Sequence, residues 1–243
     1  MWRSTSVLSD RGPGAAPHPV ADDEADLLAG LRRGQARAYE QLMRRYNRLL
    51  FRAARGIVRD DAEAQDAVQE AYLHAFLGLA GFRGEASLAT WLTRIVIRQA
   101  LMQQRRLGRL VFWDGELTAD GDEGSDDPLS GRGPATPEQE LARAQLRGQL
   151  EAAIDLLPPI YRCVFLLRAV EGRSVQDTAL ALQVSPDVVK TRFLRARAQL
   201  RSQLAPAALE LAPGLHSFGG HRCEDNVRAV MAQLLALGMI RAP

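Results

Sequence analysis

Apolar residues recur at three- and four-residue spacing along most of the first hundred residues. The pattern runs over 39–57, 64–79 and 88–99, and it predicts three amphipathic helices. Asp60 and Ser87 stand immediately before the second and third of these helices, where N-cap residues belong. No segment shows the strict alternation that a β-strand requires. The hydrophobic pattern therefore favours an all-α fold.

A second helical block begins near Pro137, a residue type that is favoured in the first turn of a helix. Ser174 and Ser185 are predicted N-caps, and Pro186 follows the second of them. A short helix over 174–182, a tight turn and a longer helix to Leu204 have the form of a helix-turn-helix. The chain is predicted to hold two small helical domains, an N-terminal bundle and a C-terminal helix-turn-helix domain.

Between the two blocks the helical period is lost, and Gly, Asp, Ser and Pro dominate. Seven acids and no base lie between Asp114 and Asp127: Asp114, Glu116, Asp120, Asp122, Glu123, Asp126 and Asp127. We expect a disordered arm over 1–22, a first domain over 23–107, a flexible acidic linker over 108–137, a second domain over 138–206 and a C-terminal extension over 207–243.

The net charge of +2 says little about partners, but its distribution is uneven. Five bases against the single acid Asp187 lie between Ser185 and Leu204: Lys190, Arg192, Arg195, Arg197 and Arg201. The spacing of Val189, Phe193, Ala196 and Leu200 predicts that these four face the core. Asp187, Lys190, Thr191, Arg192 and Arg195 then lie on other faces, where bases can meet phosphates and the first turn can enter a major groove. The alternative is a helical hairpin with a solvated basic face.

Other function classes are disfavoured. The chain shows no glycine-rich phosphate loop, metalloprotease helix motif or recognisable nucleophile–base pair, so we expect neither an enzyme nor a cofactor. Two cysteines and no apolar stretch of about 18 residues favour a cytoplasmic protein in a reducing compartment. His216, His221 and Cys223 are candidate zinc ligands, but their spacing is weak evidence. We favour an extension that packs against one of the domains, without a metal.

Two motif sets resemble the extracytoplasmic-function (ECF) group of RNA polymerase sigma factors. The second block carries Leu157-Pro158-Pro159, Glu171-Gly172-x-Ser174 and Val188-Val189-Lys190-Thr191-Arg192-Phe193-x-Arg195-Ala196-Arg197. The first carries Asp66-Ala67-Val68-Gln69-Glu70-Ala71-Tyr72, Phe82-Arg83-Gly84 and Thr90-Trp91-Leu92. The resemblance covers about 24–107 and 138–204, in the order that the family has.

The resemblance implies a factor that binds core RNA polymerase and directs transcription initiation through contacts with the −10 and −35 promoter elements. Its expected partners are core polymerase and promoter DNA. Because members of this family can be bound by an anti-sigma factor, such a factor is a further candidate partner. The residues expected at the polymerase are Asp66, Gln69 and Glu70. Those expected at the −10 element are Phe82, Arg83, Gly84, Ser87, Arg94, Arg98, Arg105 and Arg106. Those expected at the −35 element are Ser185, Asp187, Lys190, Thr191, Arg192 and Arg195.

Several alternatives stay open. Trp91 lies on the apolar stripe of its helix, so we favour a core position over a DNA contact. The acidic linker is either a nucleic-acid mimic or a plain spacer. A helix-turn-helix regulator that binds its operator unaided is the main rival function, and an adaptor of two helical bundles is a third. The residues that depart from the usual family pattern, Arg98, Met102, Asp177, Thr178, Gln183 and Asp187, bear on which promoter is read.

Overall fold

The computed structural model describes residues 20–109, 137–204, 206–209 and 211–240, and every regular element in these ranges is helical. This confirms the all-α prediction. The first domain contains α1 (Val20–Arg32), α2 (Ala36–Arg55), α3 (Asp61–Leu77) and α4 (Leu88–Arg106). The second contains α5 (Pro137–Leu156), α6 (Pro159–Phe165), α7 (Val175–Leu182) and α8 (Pro186–Gln203), and α9 (Pro206–Leu209) and α10 (His221–Ala236) follow it. Short turns of other helix types occupy Leu79–Gly81, Leu166–Val170 and Ala212–Gly214.

The predicted helix starts are confirmed by their caps. The Asp60 carboxylate accepts hydrogen bonds from the backbone N–H groups of Ala62 and Glu63, at 2.8 and 2.9 Å. The hydroxyls of Ser87, Ser174 and Ser185 each accept one from the residue three positions on. Each cap satisfies donors that the first helical turn leaves without an intrahelical partner.

The expected disorder over 1–22 is wrong at its end, because α1 begins at Val20. Leu27 and Leu31 of α1 are buried in the first core, although this short segment has too few apolar positions to show a clear helical period. Most of the predicted arm and of the acidic linker, 1–19 and 110–136, lies outside the described residues.

The core of the first domain lies among α2, α3 and α4. Met43, Leu50, Val68 and Leu92 are each at most 1% exposed. The Tyr72 hydroxyl donates to the Met43 carbonyl, so its burial leaves no unsatisfied donor. This packing fixes which faces of α3 and α4 point outward.

The two domains share one apolar core. Cys163, Leu167, Leu182 and Val189 of the second domain are buried in the same cluster as the side chains of α2, α3 and α4. A second cluster lies wholly within the C-terminal half, among α5, α6, α8 and the residues that follow α8. The sequence predicted two domains joined by a flexible linker, and it gave no sign that the domains pack together.

Arg162 joins the domains through backbone carbonyls. It is 1% exposed, and its guanidinium donates to the carbonyls of Gly56 and Ile57 at 3.1 and 2.8 Å and to that of Asp155 at 3.0 Å. Gly56 and Ile57 lie at the C-terminal end of α2, where unpaired carbonyls favour a cation. Burial lowers the pKa of Arg162 to about 10, so it stays charged at neutral pH. A charged side chain of the second domain thus closes the end of a first-domain helix.

Candidate functional site

The first candidate surface lies on α3. Asp66 and Glu70 are exposed and Gln69 is half-buried, on the side of the helix that faces away from the core. They line a cleft together with Arg106 of α4 and Gln233 of α10. Partial burial, followed by the nearby carboxylates of Asp60, Glu63 and Glu70, raises the pKa of Asp66. A cation placed here would relieve this repulsion, so the patch suits a basic partner.

The second surface is the loop before α4. Gly84 has φ +74°, a left-handed conformation that carries Arg83 and Glu85 out into solvent. A pocket of about 200 Å³ opens here, lined by residues that include Phe82, Arg83, Trp91 and Arg94. This is smaller than the roughly 300–1,000 Å³ of drug-sized ligand sites, so the pocket fits a group of about the size of one base.

Phe82 forms the floor of this pocket and does not offer an exposed stacking face. It is 9% exposed, and its ring centroid lies 5.1 Å from that of Trp91 at a tilted angle. Trp91 is half-buried against the first core, as the preferred interpretation of its helical position predicted. Aromatic residues are favoured in cores by their large apolar area, which explains why the loop turns this ring inward.

A basic stripe extends from the pocket along α4. Arg94, Arg98 and Arg105 are exposed, and their spacing places them on one face of the helix. Arg106, expected with them, points elsewhere: it lines the cleft beside Asp66 and Glu70. Ser87 is exposed, but its hydroxyl caps α4 by accepting a hydrogen bond from the Thr90 N–H. Three of the four arginines therefore form a continuous surface, and the fourth belongs to the α3 side.

The third surface is the start of α8. Ser185 caps this helix through the Val188 N–H, and Asp187 and Lys190 are exposed and paired with each other at 3.2 Å. Gln183 closes α7 with φ +58°, in the left-handed region where glycine is the usual solution. This geometry makes the predicted helix-turn-helix, with α8 as its second helix.

The inclusion of Arg192 among the outward-facing residues of α8 is wrong. Arg192 is 2% exposed and lies on the same helix face as Val189 and Ala196. Burial raises the pKa of the Cys163 thiol to about 12, and the nearby positive charge of Arg192 opposes this rise. Phe193, predicted to be core, is only half-buried, and Thr191 and Arg195 are also half-buried. The predicted core face had residues four, three and four positions apart, with Phe193 as its second member. The observed face has residues three, four and four apart, with Arg192 in that place. Both spacings fit a helix, and the packing of α6 against α8 decides which face is buried.

The three candidate zinc ligands do not come together at one site. His216 is buried and donates its backbone N–H to Glu151, whereas the Cys223 thiol accepts a hydrogen bond from the Asn47 amide at 3.1 Å. His221 is exposed at the start of α10. Among the described residues, no group of three or more His, Cys, Asp or Glu side chains is arranged to hold a metal ion. No described helix is long and apolar enough to cross a membrane.

Comparison with known proteins identifies the family. The model of Sigma-70 region 2 matches residues 42–110, and that of Sigma-70 region 4 matches 147–200. The RNA polymerase sigma-H factor of Pseudomonas aeruginosa is 30% identical over 78% of this chain and 97% of its own length. The ECF RNA polymerase sigma factor SigM of Mycobacterium tuberculosis is 34% identical over 73% of this chain and 82% of its own length.

The chain belongs to the ECF group of RNA polymerase sigma factors. It binds core RNA polymerase and promoter DNA and directs transcription initiation, without being an enzyme. Among solved structures, that of CnrH in complex with the cytosolic domain of CnrY is 26% identical, with a TM-score of 0.49, and covers 72% of this chain and 93% of its own.

Sequence reasoning missed the residues that join regions 2 and 4 of this sigma factor. Arg52 is 3% exposed in α2, yet it pairs with Glu171 of region 4 and donates to the Leu215 carbonyl at 2.8 Å. The Thr90 hydroxyl in α4 donates to Asp177 at 3.0 Å and accepts from Arg173 at 2.8 Å. The only sequence signal was an arginine among apolar neighbours in α2, which is weak evidence by itself.

Acidification should loosen the C-terminal extension of the sigma factor through His216. Burial, followed by nearby Arg55, lowers the pKa of His216, and the carboxylates of Asp155, Glu151 and Asp61 oppose this only in part. The packed state therefore takes up a proton less readily than the unfolded chain, whose histidine has a pKa of ~6.5. The stability that His216 contributes is present above this pH and is lost as the pH falls from ~6.5 toward the folded pKa.

Thermal unfolding at pH 7.5, 6.5 and 5.5 tests this expectation with His216→Asn. Asparagine tolerates the left-handed backbone of this position, φ +44°, and does not titrate. The variant should lose less stability than the wild type on acidification, whereas His221→Asn, an exposed control, should behave as the wild type. Equal pH profiles of all three proteins would contradict the assignment.

Proposed function

We propose that three separate surfaces of this sigma factor divide the work of initiation. Asp66, Gln69 and Glu70 dock on core polymerase. The loop around Arg83 and Gly84, with the basic stripe of α4, holds the opened −10 element. The start of α8 reads the −35 element. The observation that carries this proposal is that an exposed acidic patch and a loop pocket lie in one bundle, because a regulator that binds its operator unaided has no use for either.

The docking patch is supported by its electrostatics. Carboxylates lie close together on an exposed face of α3. Burial is the larger cause of the raised pKa of Asp66, and the charges of Asp60, Glu63 and Glu70 add to it. A basic partner gains both the ion pairs and the relief of the repulsion among these carboxylates. The adjoining half-buried Gln69 adds hydrogen-bonding groups that fix the orientation of the partner.

Promoter opening is supported by the pocket before α4. A base that leaves the duplex must be held to offset an unstacking cost of a few kcal/mol. Phe82 and Trp91 supply an apolar floor, and Arg83 and Arg94 supply cations at the rim. The single strand can then follow Arg94, Arg98 and Arg105 along α4 through its phosphates.

The −35 contact is supported by the capped, exposed first turn of α8. Ser185 and Asp187 can reach base edges, whereas Lys190, Thr191 and Arg195 lie further along the helix toward the phosphates. Arg192 takes no part while it is buried. We place this activity in the cytoplasm. The acidic linker lies outside the described residues, and both of its proposed roles, as a nucleic-acid mimic and as a spacer, stay open.

Run-off transcription with purified core polymerase on genomic DNA fragments tests the proposed function. Discrete transcripts should appear only when both proteins are present, and their start sites supply the promoters. A protein that footprints DNA tightly by itself and never co-purifies with polymerase would instead be a plain helix-turn-helix regulator.

Phosphate contacts on α8 should show in the salt dependence of promoter binding. Replacing Lys190 or Arg195 by alanine should weaken holoenzyme binding to all promoters alike and lower the slope of log K against log salt by about one. Asp187→Ala, which removes the acid paired with Lys190, should leave this slope unchanged or raise it. A loss confined to promoters with one particular base would mean that the altered residue reads that base.

A further inference from the structure

The segment after region 4 crosses from one domain to the other. Its first part, with Leu209, Ala212 and Leu215, is buried in the second cluster against α5 and the end of α6. Its last part, with Phe218, Val227 and Val230, is buried in the first cluster against α2 and α3. We call residues 206–209 and 211–240 the C-terminal strap. Because each end is anchored in a different core, the strap fixes the relative position of regions 2 and 4.

The crossing point is held by specific contacts. Arg52 of region 2 donates to the Leu215 carbonyl, and the next residue, His216, donates its N–H to Glu151 of region 4 at 2.9 Å. The Phe218 ring then stacks on Phe51, with centroids 4.5 Å apart. A stacked aromatic pair adds to the stabilisation from buried area alone.

Beyond Phe218, α10 lies in the groove between α2 and α3. Arg222 pairs with Asp61 at 2.7 Å, Glu224 pairs with Arg44, and the Asn226 amide donates to Asn47 at 2.9 Å. Asn226 and Val230 are each 0% exposed. The helix therefore completes the region 2 bundle from the far end of the chain.

The arrangement that the strap holds does not suit promoter binding. The −10 and −35 elements lie about 25 base pairs apart, roughly 85 Å at 3.4 Å per base pair. In this structure α7 packs on α4, Leu180 lines the −10 loop pocket and Asp177 bonds Thr90 directly. Helix α7 of region 4 therefore covers part of the proposed −10 surface on α4. Promoter binding requires the domains to separate.

We propose that the C-terminal strap is an intramolecular clamp that keeps the sigma factor closed until polymerase releases it. The proposal rests on the proposed roles of the three surfaces. Gln233 of α10 lines the same cleft as Asp66 and Glu70, so a partner that docks there contacts the clamp itself. Polymerase docking and clamp release are coupled through this shared cleft, and opening costs less once the strap contacts are weakened.

Full-length variants in the strap test the clamp. Phe218→Ala removes the ring stacked on Phe51 and should raise run-off transcription at limiting sigma factor about tenfold, equivalent to ~1.4 kcal/mol. Small-angle scattering should show a larger radius of gyration than that of the wild type. Leu235→Ala, at a 46%-exposed position of α10 in the same strap, is the matched control and should change neither quantity.

A charge swap provides a second test that spares the core. Glu224→Arg places two arginines together and should also raise transcription, and the double variant Arg44→Glu/Glu224→Arg should return to the wild-type level. Gly56→Ala opens the domain interface independently, since its Cβ would lie 2.7 Å from the Cys163 Cα, and it calibrates the signal of an open state.

The outcomes separate the two proposals. Suppose that the wild type produces transcripts and that Phe218→Ala and Glu224→Arg change neither their amount nor the radius of gyration. This result would overturn the clamp proposal alone. Lower transcription in folded strap variants would also overturn it, because the strap would then support activity. No transcripts from any protein, including Gly56→Ala, would overturn the proposed function instead.

Discussion

Replacing Glu70 by lysine should lower the affinity of the sigma factor for core polymerase at least ~30-fold, as expected for a loss of about 2 kcal/mol or more at a charged contact. Glu70 is exposed on α3 beside Asp66, and its charge contributes to the raised pKa of that neighbour. A lysine at this position repels a basic partner and leaves Asp66 engaged with the new ammonium group. Titration of core polymerase by fluorescence anisotropy measures the change.

The same substitution should leave the fold intact. Reversing Glu70 relieves repulsion within the patch, so the melting temperature should equal or exceed that of the wild type. Asp26→Lys, an exposed reversal on α1, is the matched control and should keep wild-type polymerase affinity. If Glu70→Lys binds polymerase as tightly as Asp26→Lys does, the docking patch lies elsewhere on the molecule.

Replacing Arg162 by methionine should lower the free energy of unfolding by about 3–5 kcal/mol, because three buried carbonyls lose their donor at about 1–3 kcal/mol each, partly offset by relaxation. Two of these carbonyls, those of Gly56 and Ile57, belong to region 2 and the third, that of Asp155, to region 4, so most of the loss falls on the contact between the regions. Methionine fills much of the same volume, which keeps the cavity term small. Urea unfolding followed by circular dichroism measures the change.

The shape of the unfolding curve carries further information. The wild type should unfold in one transition because its two domains share a core, whereas Arg162→Met should unfold in two. Arg59→Met, an exposed arginine near the same helix end, should change little. An Arg162→Met variant with the stability of Arg59→Met would show that the carbonyls find other donors.

Local signals in the sequence were sufficient for the helices that begin with a polar cap. Asp60, Ser87, Ser174 and Ser185 each cap the helix that their position predicted, because capping depends on residues within one turn. The turn at Gln183 follows the same logic, although it places a side chain where glycine is usual. The exposed faces of α3 and α4 also followed from periodicity, except at Arg106, which turns toward the α3 cleft.

Three features depended on contacts between residues far apart in the chain. Arg192 is buried because α6 packs on its face of α8, and Phe82 turns inward because Trp91 lies beneath it. Arg162 and Arg52 appear in the sequence as ordinary charged helix residues, yet they bridge regions 2 and 4. Hydrophobic periodicity and capping residues are local signals, and neither indicates which residues far apart in the sequence will pair.

The sequence by itself determined the all-α class, the capped helix starts, the helix-turn-helix and the sigma-factor motifs. All of these depend on spacing within a few residues or on short motifs in a fixed order. Only the tertiary structure decided which arginines are buried, how regions 2 and 4 pack together and where the C-terminal strap lies. Those outcomes follow from the burial of apolar surface and the satisfaction of buried carbonyls between distant segments, which no local pattern encodes.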